Sequence, residues 1–116
     1  NYVFSTYPDS RVGLISSEGD ATIRNFWGFG EDDCASLGGF APGAYSPERY
    51  RDGLVDLRDR VAAGQQFFMF MPPGTRHVWI NNASGLNTTI GQSPSLLEWV
   101  GEMIDDAPSL QSWPAP

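Results

Sequence analysis

Two short apolar runs constrain this chain more than any other feature. Residues 11–16 (RVGLIS) and 66–71 (QFFMFM) are too short for helices and are bounded by turn chemistry. Tyr7-Pro8-Asp9-Ser10 leads the first, and Pro72-Pro73-Gly74 closes the second. A run apolar on both faces suits a strand covered by helices on either side, the setting of a parallel sheet.

Helical patterns separate and follow the runs. Asp20 stands where an N-cap would, ahead of a helix over residues 21–27. Ser46-Pro47-Glu48 combines an N-cap, a proline for the first helical position and a first-turn acid. Tyr50, Leu54, Leu57 and Val61 then form one apolar stripe among charged residues, and Gly64 ends the pattern. Ser93-Pro94 opens a last helix with Leu96, Leu97, Val100, Met103 and Ile104 on one face. Residues 28–45 read as a Gly-rich loop, 81–92 as a polar loop, and 108–116 as a Pro-rich, irregular tail.

Strand, helix, helix, strand, helix is α/β alternation. Three helices bring more apolar surface than two strands can cover. The sheet is therefore expected to be completed by another chain or by a missing N-terminal half. Residues 1–116 read as the C-terminal part of one domain. The chain opens on Asn1 rather than Met, which suggests processing or a fragment.

Net charge is −7, and all seven basic residues are arginines. That balance disfavours nucleic acid and anionic membranes, which need clustered cations. No apolar stretch is long enough to span a bilayer. One His, one Cys and no HExxH or CxxC spacing leave no metal site, and no cofactor motif is present. The acidic pairs Asp32-Asp33 and Asp105-Asp106 read as solvated faces rather than Ca²⁺ ligands. Cys34 has no internal partner, and Glu31, Asp32 and Asp33 beside it disfavour a thiolate. A bridge to another chain or an inert thiol is expected. Asn82-Ala83-Ser84 and Asn87-Thr88-Thr89 are acceptor triplets for N-glycosylation.

Ligands of open α/β sheets bind beyond the carboxyl ends of the strands. Asp20 follows the first strand and His77 follows the second, so parallel strands bring both to one edge. Acid before base is the chain order of α/β-hydrolases. His77, the single histidine, suits a general base, with Asp20 orienting its ring. Both types also have plain uses, as an N-cap and as a loop histidine, and Glu18 is the fallback acid. Ile15-Ser16-Ser17-Glu18-Gly19 is half of a nucleophile elbow, but Ile15 replaces its first glycine and Glu18 would oppose an oxyanion. Ser17 is therefore not expected to be the nucleophile. Phe26, Trp27, Phe29 and Trp79 are candidates either for core packing or for an apolar substrate wall. Of these, Trp27 and Trp79 are the substrate-binding candidates.

The stretch 7–20 (YPDSRVGLISSEGD), then 67–78 (FFMFMPPGTRHV), resembles the C-terminal part of the pectin acetylesterase and Notum-like carboxylesterases. Leu97-Glu98-Trp99-Val100 is similar to that family's final helix. The resemblance implies an α/β-hydrolase fold and a secreted or periplasmic serine esterase that works through an acyl-enzyme. It makes Asp20 the triad acid and His77 the triad base. The family's Gly-x-Ser-x-Gly elbow and oxyanion-hole glycines are absent, so a partner N-terminal chain is expected to supply the serine. The substrate remains open among acylated sugars, acylated proteins and polymer esters such as polyhydroxyalkanoates. The alternatives are a polymer-ester depolymerase and a non-catalytic, hydrolase-like binding or structural subunit.

Overall fold

In the computed structural model, residues 2–28, 45–62 and 66–115 are described. Phe29, Cys34, the acids Glu31, Asp32 and Asp33, the loop over 29–44 and the expected helix stop at Gly64 lie outside them. The elements are α1 (Tyr2–Thr6), β1 (Val12–Ile15), α2 (Ala21–Gly28), α3 (Pro47–Ala62), β2 (Phe67–Phe70), α4 (Ala83–Leu86) and α5 (Leu96–Ile104). Both expected strands form, and they pair in parallel, with Val12 opposite Phe67 and Ile15 opposite Phe70. The class is α/β with a two-stranded parallel sheet.

Alternation along the strands sends side chains to two faces. On one face Val12 and Leu14 pack with Phe67, Met69 and Met71 against Tyr50 and Leu54 of α3. On the other, Ile15, Phe68 and Phe70 meet Leu96, Trp99 and Met103 of α5. Met69 and Phe70 are fully buried, as expected of a strand covered on both faces. Gly13 lies on the α5 face, where a Cβ would stand 2.5 Å from the Met103 sulfur and 3.2 Å from the Trp99 ring. Its missing side chain lets α5 lie close to β1.

Three local readings need correction. The last helix starts at Leu96, capped by Ser95 rather than opened by Ser93-Pro94. Ser95 and Glu98 form a reciprocal capping box, in which the Ser95 hydroxyl accepts from the Glu98 amide and the Glu98 carboxylate accepts from the Ser95 amide. The Ser93 hydroxyl instead accepts from the Ile90 amide at 2.7 Å. The buried stripe of α5 is Leu96 and Trp99, whereas Leu97 and Ile104 are exposed. Residues 81–92 are also not all loop: α4 is a single turn capped by Asn82.

The tail over 108–116 is irregular, yet it occupies a strand position. The Trp113 amide donates to the Met69 carbonyl and the Met71 amide donates to the Trp113 carbonyl, both at 2.7 Å. Arg58 continues the Tyr50–Leu54 row of α3, is buried, and donates to the Pro114 carbonyl at 3.1 Å. Thus β2 is covered on both edges, by β1 and by the tail. The outer edge of β1 has no strand beside it among the described residues. No helix among the described residues is long and apolar enough to cross a membrane.

Candidate active site

Parallel pairing does not stop where the strands end. The Ser16 amide donates to Phe70, Glu18 to Pro72, Gly19 to Gly74 and Ala21 to Thr75, at 2.9–3.2 Å. The two loops beyond the sheet are therefore zipped together, and the zipper carries Asp20 and His77 to one place. Asp20 is buried and uses both carboxylate oxygens. Oδ1 accepts from the Thr22 and Ile23 amides at 3.0 and 2.9 Å, capping α2. Oδ2 lies 2.8 Å from His77 Nδ1.

An ionised carboxylate offers only acceptors, so the hydrogen of this contact belongs to Nδ1. In a neutral ring the lone pair then lies on Nε2, which makes no hydrogen bond among the described residues. The imidazole is 43 % exposed while the Asp20 carboxylate is 3 % exposed. That is the arrangement a general base requires: an anchored, tautomer-setting acid behind an accessible ring. The fallback acid, Glu18, faces away and pairs with Arg51 at 3.3 Å. It borders a separate cavity of about 280 Å³ that neither Asp20 nor His77 lines.

Two apolar cavities open beside the imidazole. One, of about 270 Å³, lies on the α3 face and includes Leu14, Ile23, Trp27, Tyr50, Leu54 and Leu57 in its lining. The other, of about 190 Å³, lies on the opposite face and is lined by Val78, Trp79 and Ile80. Ile15 and His77 border both. The structure therefore brings both candidate tryptophans to the dyad, but from opposite faces. The Trp27 ring is half exposed and leans on Tyr50, ring centres 5.1 Å apart. Trp79 is buried and belongs to the core of the α5 face. Phe26 is exposed and lines neither cavity.

Ser17 is fully buried, with its hydroxyl engaged as donor and as acceptor. It donates to the Arg76 carbonyl and accepts from Trp79 Nε1, the latter at 3.1 Å. A serine held this way is out of a substrate's reach. Arg76 holds the same loop from outside: Nε donates to the Val78 carbonyl at 2.7 Å and a terminal nitrogen donates to Asn82 Oδ1 at 3.1 Å. Its guanidinium lies 4.9 Å from the centre of the Trp79 ring. Asn82, the first glycosylation candidate, thus caps α4 and holds Arg76, while Asn87 ends the same turn. Gly85 of α4 lies against the Trp79 carbonyl, with no room for a Cβ.

Sequence reasoning missed Tyr50 as a site residue. Its phenol and the Ser16 hydroxyl share a hydrogen bond of 2.9 Å beneath the dyad. Burial pushes the Tyr50 phenol above its usual range, and the Asp20 carboxylate adds to the rise, while the Ser16 contact opposes it. The only sequence signal was its place on the α3 stripe, which marks core and not chemistry. Among the described residues no cluster of three or more His, Cys, Asp or Glu could hold a metal ion.

No family model matches this sequence, and neither the curated proteins nor the solved structures contain a match.

Proposed function

We propose that this chain supplies the acid and base of a serine ester hydrolase of the α/β-hydrolase kind. The observation that carries the proposal is the 2.8 Å contact between the buried Asp20 carboxylate and the accessible His77 ring, beyond the carboxyl ends of two parallel strands. In the proposed reaction His77 Nε2 takes the hydroxyl proton of a serine as that oxygen attacks the ester carbonyl. The imidazolium, steadied by Asp20, returns the proton to the leaving alcohol. Water then repeats the sequence to release the acid from the acyl-enzyme. The apolar cavities beside His77, with Trp27 and Trp79 in their walls, suit the acyl portion of the ester.

No described hydroxyl reaches Nε2; in this reading the nucleophile and oxyanion hole belong to a partner polypeptide. The outer edge of β1 supports a place for it. A parallel ladder turns alternate residues toward each neighbour. Val12 and Ser16 donate inward to β2, so the backbone groups of Gly13 and Ile15 point outward. A strand added there in parallel would bring its own following loop to the same sheet edge as His77. Acylated sugars, acylated proteins and polymer esters all fit an apolar acyl site beside a dyad of this kind.

One observation favours a second reading. The described residues hold an acid and a base without a nucleophile, as a binding subunit that kept a hydrolase shape would. Labelling the purified native material with a fluorophosphonate separates the two. The hydrolase reading expects a labelled serine on an associated chain, lost in His77→Ala. Absence of label on any chain, or full turnover in His77→Ala, overturns it.

A further inference from the structure

The zipper that aligns the two loops ends at Thr75, two residues short of His77. Beyond Thr75, the described hydrogen bonds between residues 16–20 and 76–79 are those of Ser17 and the dyad contact itself. Ser17 sits three residues before Asp20. Its hydroxyl reaches both sides of His77: the carbonyl of Arg76 immediately before it, and the indole of Trp79 two residues after it.

The geometry points to Ser17 as a positioning residue that fixes the His77 ring against Asp20 by pinning the histidine loop on both flanks. The contacts suit that role. A hydroxyl can donate and accept at once, so one atom joins a carbonyl and an indole N–H. Its complete burial removes water as a competing partner, and a buried polar group without a partner is costly. Trp79 transmits the hold, because its ring is packed with Phe70 and Leu96 and cannot follow a drifting loop. Alanine at 17 would keep the backbone zipper and release only the section that bears His77. This inference rests on the hydrolase reading only in calling the dyad catalytic; the placement of the ring stands by itself.

The test reads the ring rather than turnover. In the purified native protein, with any associated chain retained, ¹H–¹⁵N spectra of the His77 imidazole report the Nδ1-bound proton and the tautomer. Ser17→Ala is expected to lose the slowly exchanging Nδ1 proton signal and to move the ring nitrogens toward a mixture of tautomers. Trp79→Phe keeps an aromatic side chain but removes the indole N–H, and is expected to produce a smaller shift in the same direction. Ser112→Ala removes another buried hydroxyl, the one accepting from the Met69 amide at 3.1 Å, and is expected to leave His77 unchanged. Wild-type His77 signals in Ser17→Ala would overturn the inference, as would an equal change in Ser112→Ala. Should Ser17→Ala not fold, wild-type signals in Trp79→Phe overturn it. A clamp verified this way, with no fluorophosphonate label on any chain, would leave the positioning intact and remove the hydrolase reading.

Discussion

Asp20 and His77 meet at 2.8 Å although 57 positions separate them, and Asp20 reaches His77 without giving up its role as a helix cap. One carboxylate oxygen is held by α2 and the other by the imidazole. The helix thereby fixes the direction in which Asp20 presents its charge.

That division predicts a split between two substitutions. Asp20→Asn keeps an acceptor for the α2 amides but can hold the imidazole in the wrong tautomer. It is expected to leave stability within about 1 kcal/mol of wild type and, if the proposed hydrolase reading holds, to lower turnover by roughly 10⁴-fold. Asp20→Ala loses both roles, and the cap alone is worth about 1 kcal/mol, with a range of roughly 0.5–2. Urea titration of both variants beside their turnover checks the separation. Equal stability loss in Asn and Ala would show that the cap is not shared in this way.

The α5 capping box predicts an acid-sensitive helix end. The Glu98 carboxyl is held below its ordinary value of 4.5 by the Ser95 hydroxyl and, less strongly, by the Ser95 amide. A carboxyl whose folded value is depressed stabilises the fold fully above its unfolded value, and that contribution is lost as pH falls through the folded value. Glu98→Gln is therefore expected to be less stable than wild type at pH 7 and equal to it at strongly acid pH. Paired denaturant titrations at the two pH values check the convergence; a gap that persists in acid would contradict it.

Gly13 predicts a steric penalty rather than a conformational one. A Cβ at this position meets the Met103 sulfur and the Trp99 ring. Gly13→Ala is expected to cost about 1–3 kcal/mol, the usual range for overpacking. Met103→Ala in the same chain should recover part of that loss. The double-mutant cycle measures the coupling, and simple additivity would show that α5 does not press on β1 there.

What was legible in the sequence followed from local rules. The two strands announced themselves by apolar runs between turns, Asp20 by its place before a helix, and His77 by its place after a strand. The capping box of α5 was equally local, yet Ser93-Pro94 offered a competing start two residues earlier and only the geometry of Glu98 decides between them. Ser17, Tyr50 and Arg58 were not legible in the same way. Their partners, at Arg76 and Trp79, at Ser16, and at Pro114, lie far away in the chain, and no periodicity encodes such a pairing. Arg58 shows the limit well, because a charged residue on a helix reads as solvent-facing until a carbonyl from the tail meets it.

The zipped loops beyond the sheet have a further consequence for how this protein can change over evolutionary time. Surface loops ordinarily accept insertions and deletions. Here Glu18, Gly19 and Ala21 are each matched by backbone hydrogen bonds to Pro72, Gly74 and Thr75. Adding or removing one residue on either side would shift the pairing and carry Asp20 past His77. Many side chains in these segments can drift, because the bonds are made by backbone atoms, but the lengths of the two segments are locked to one another.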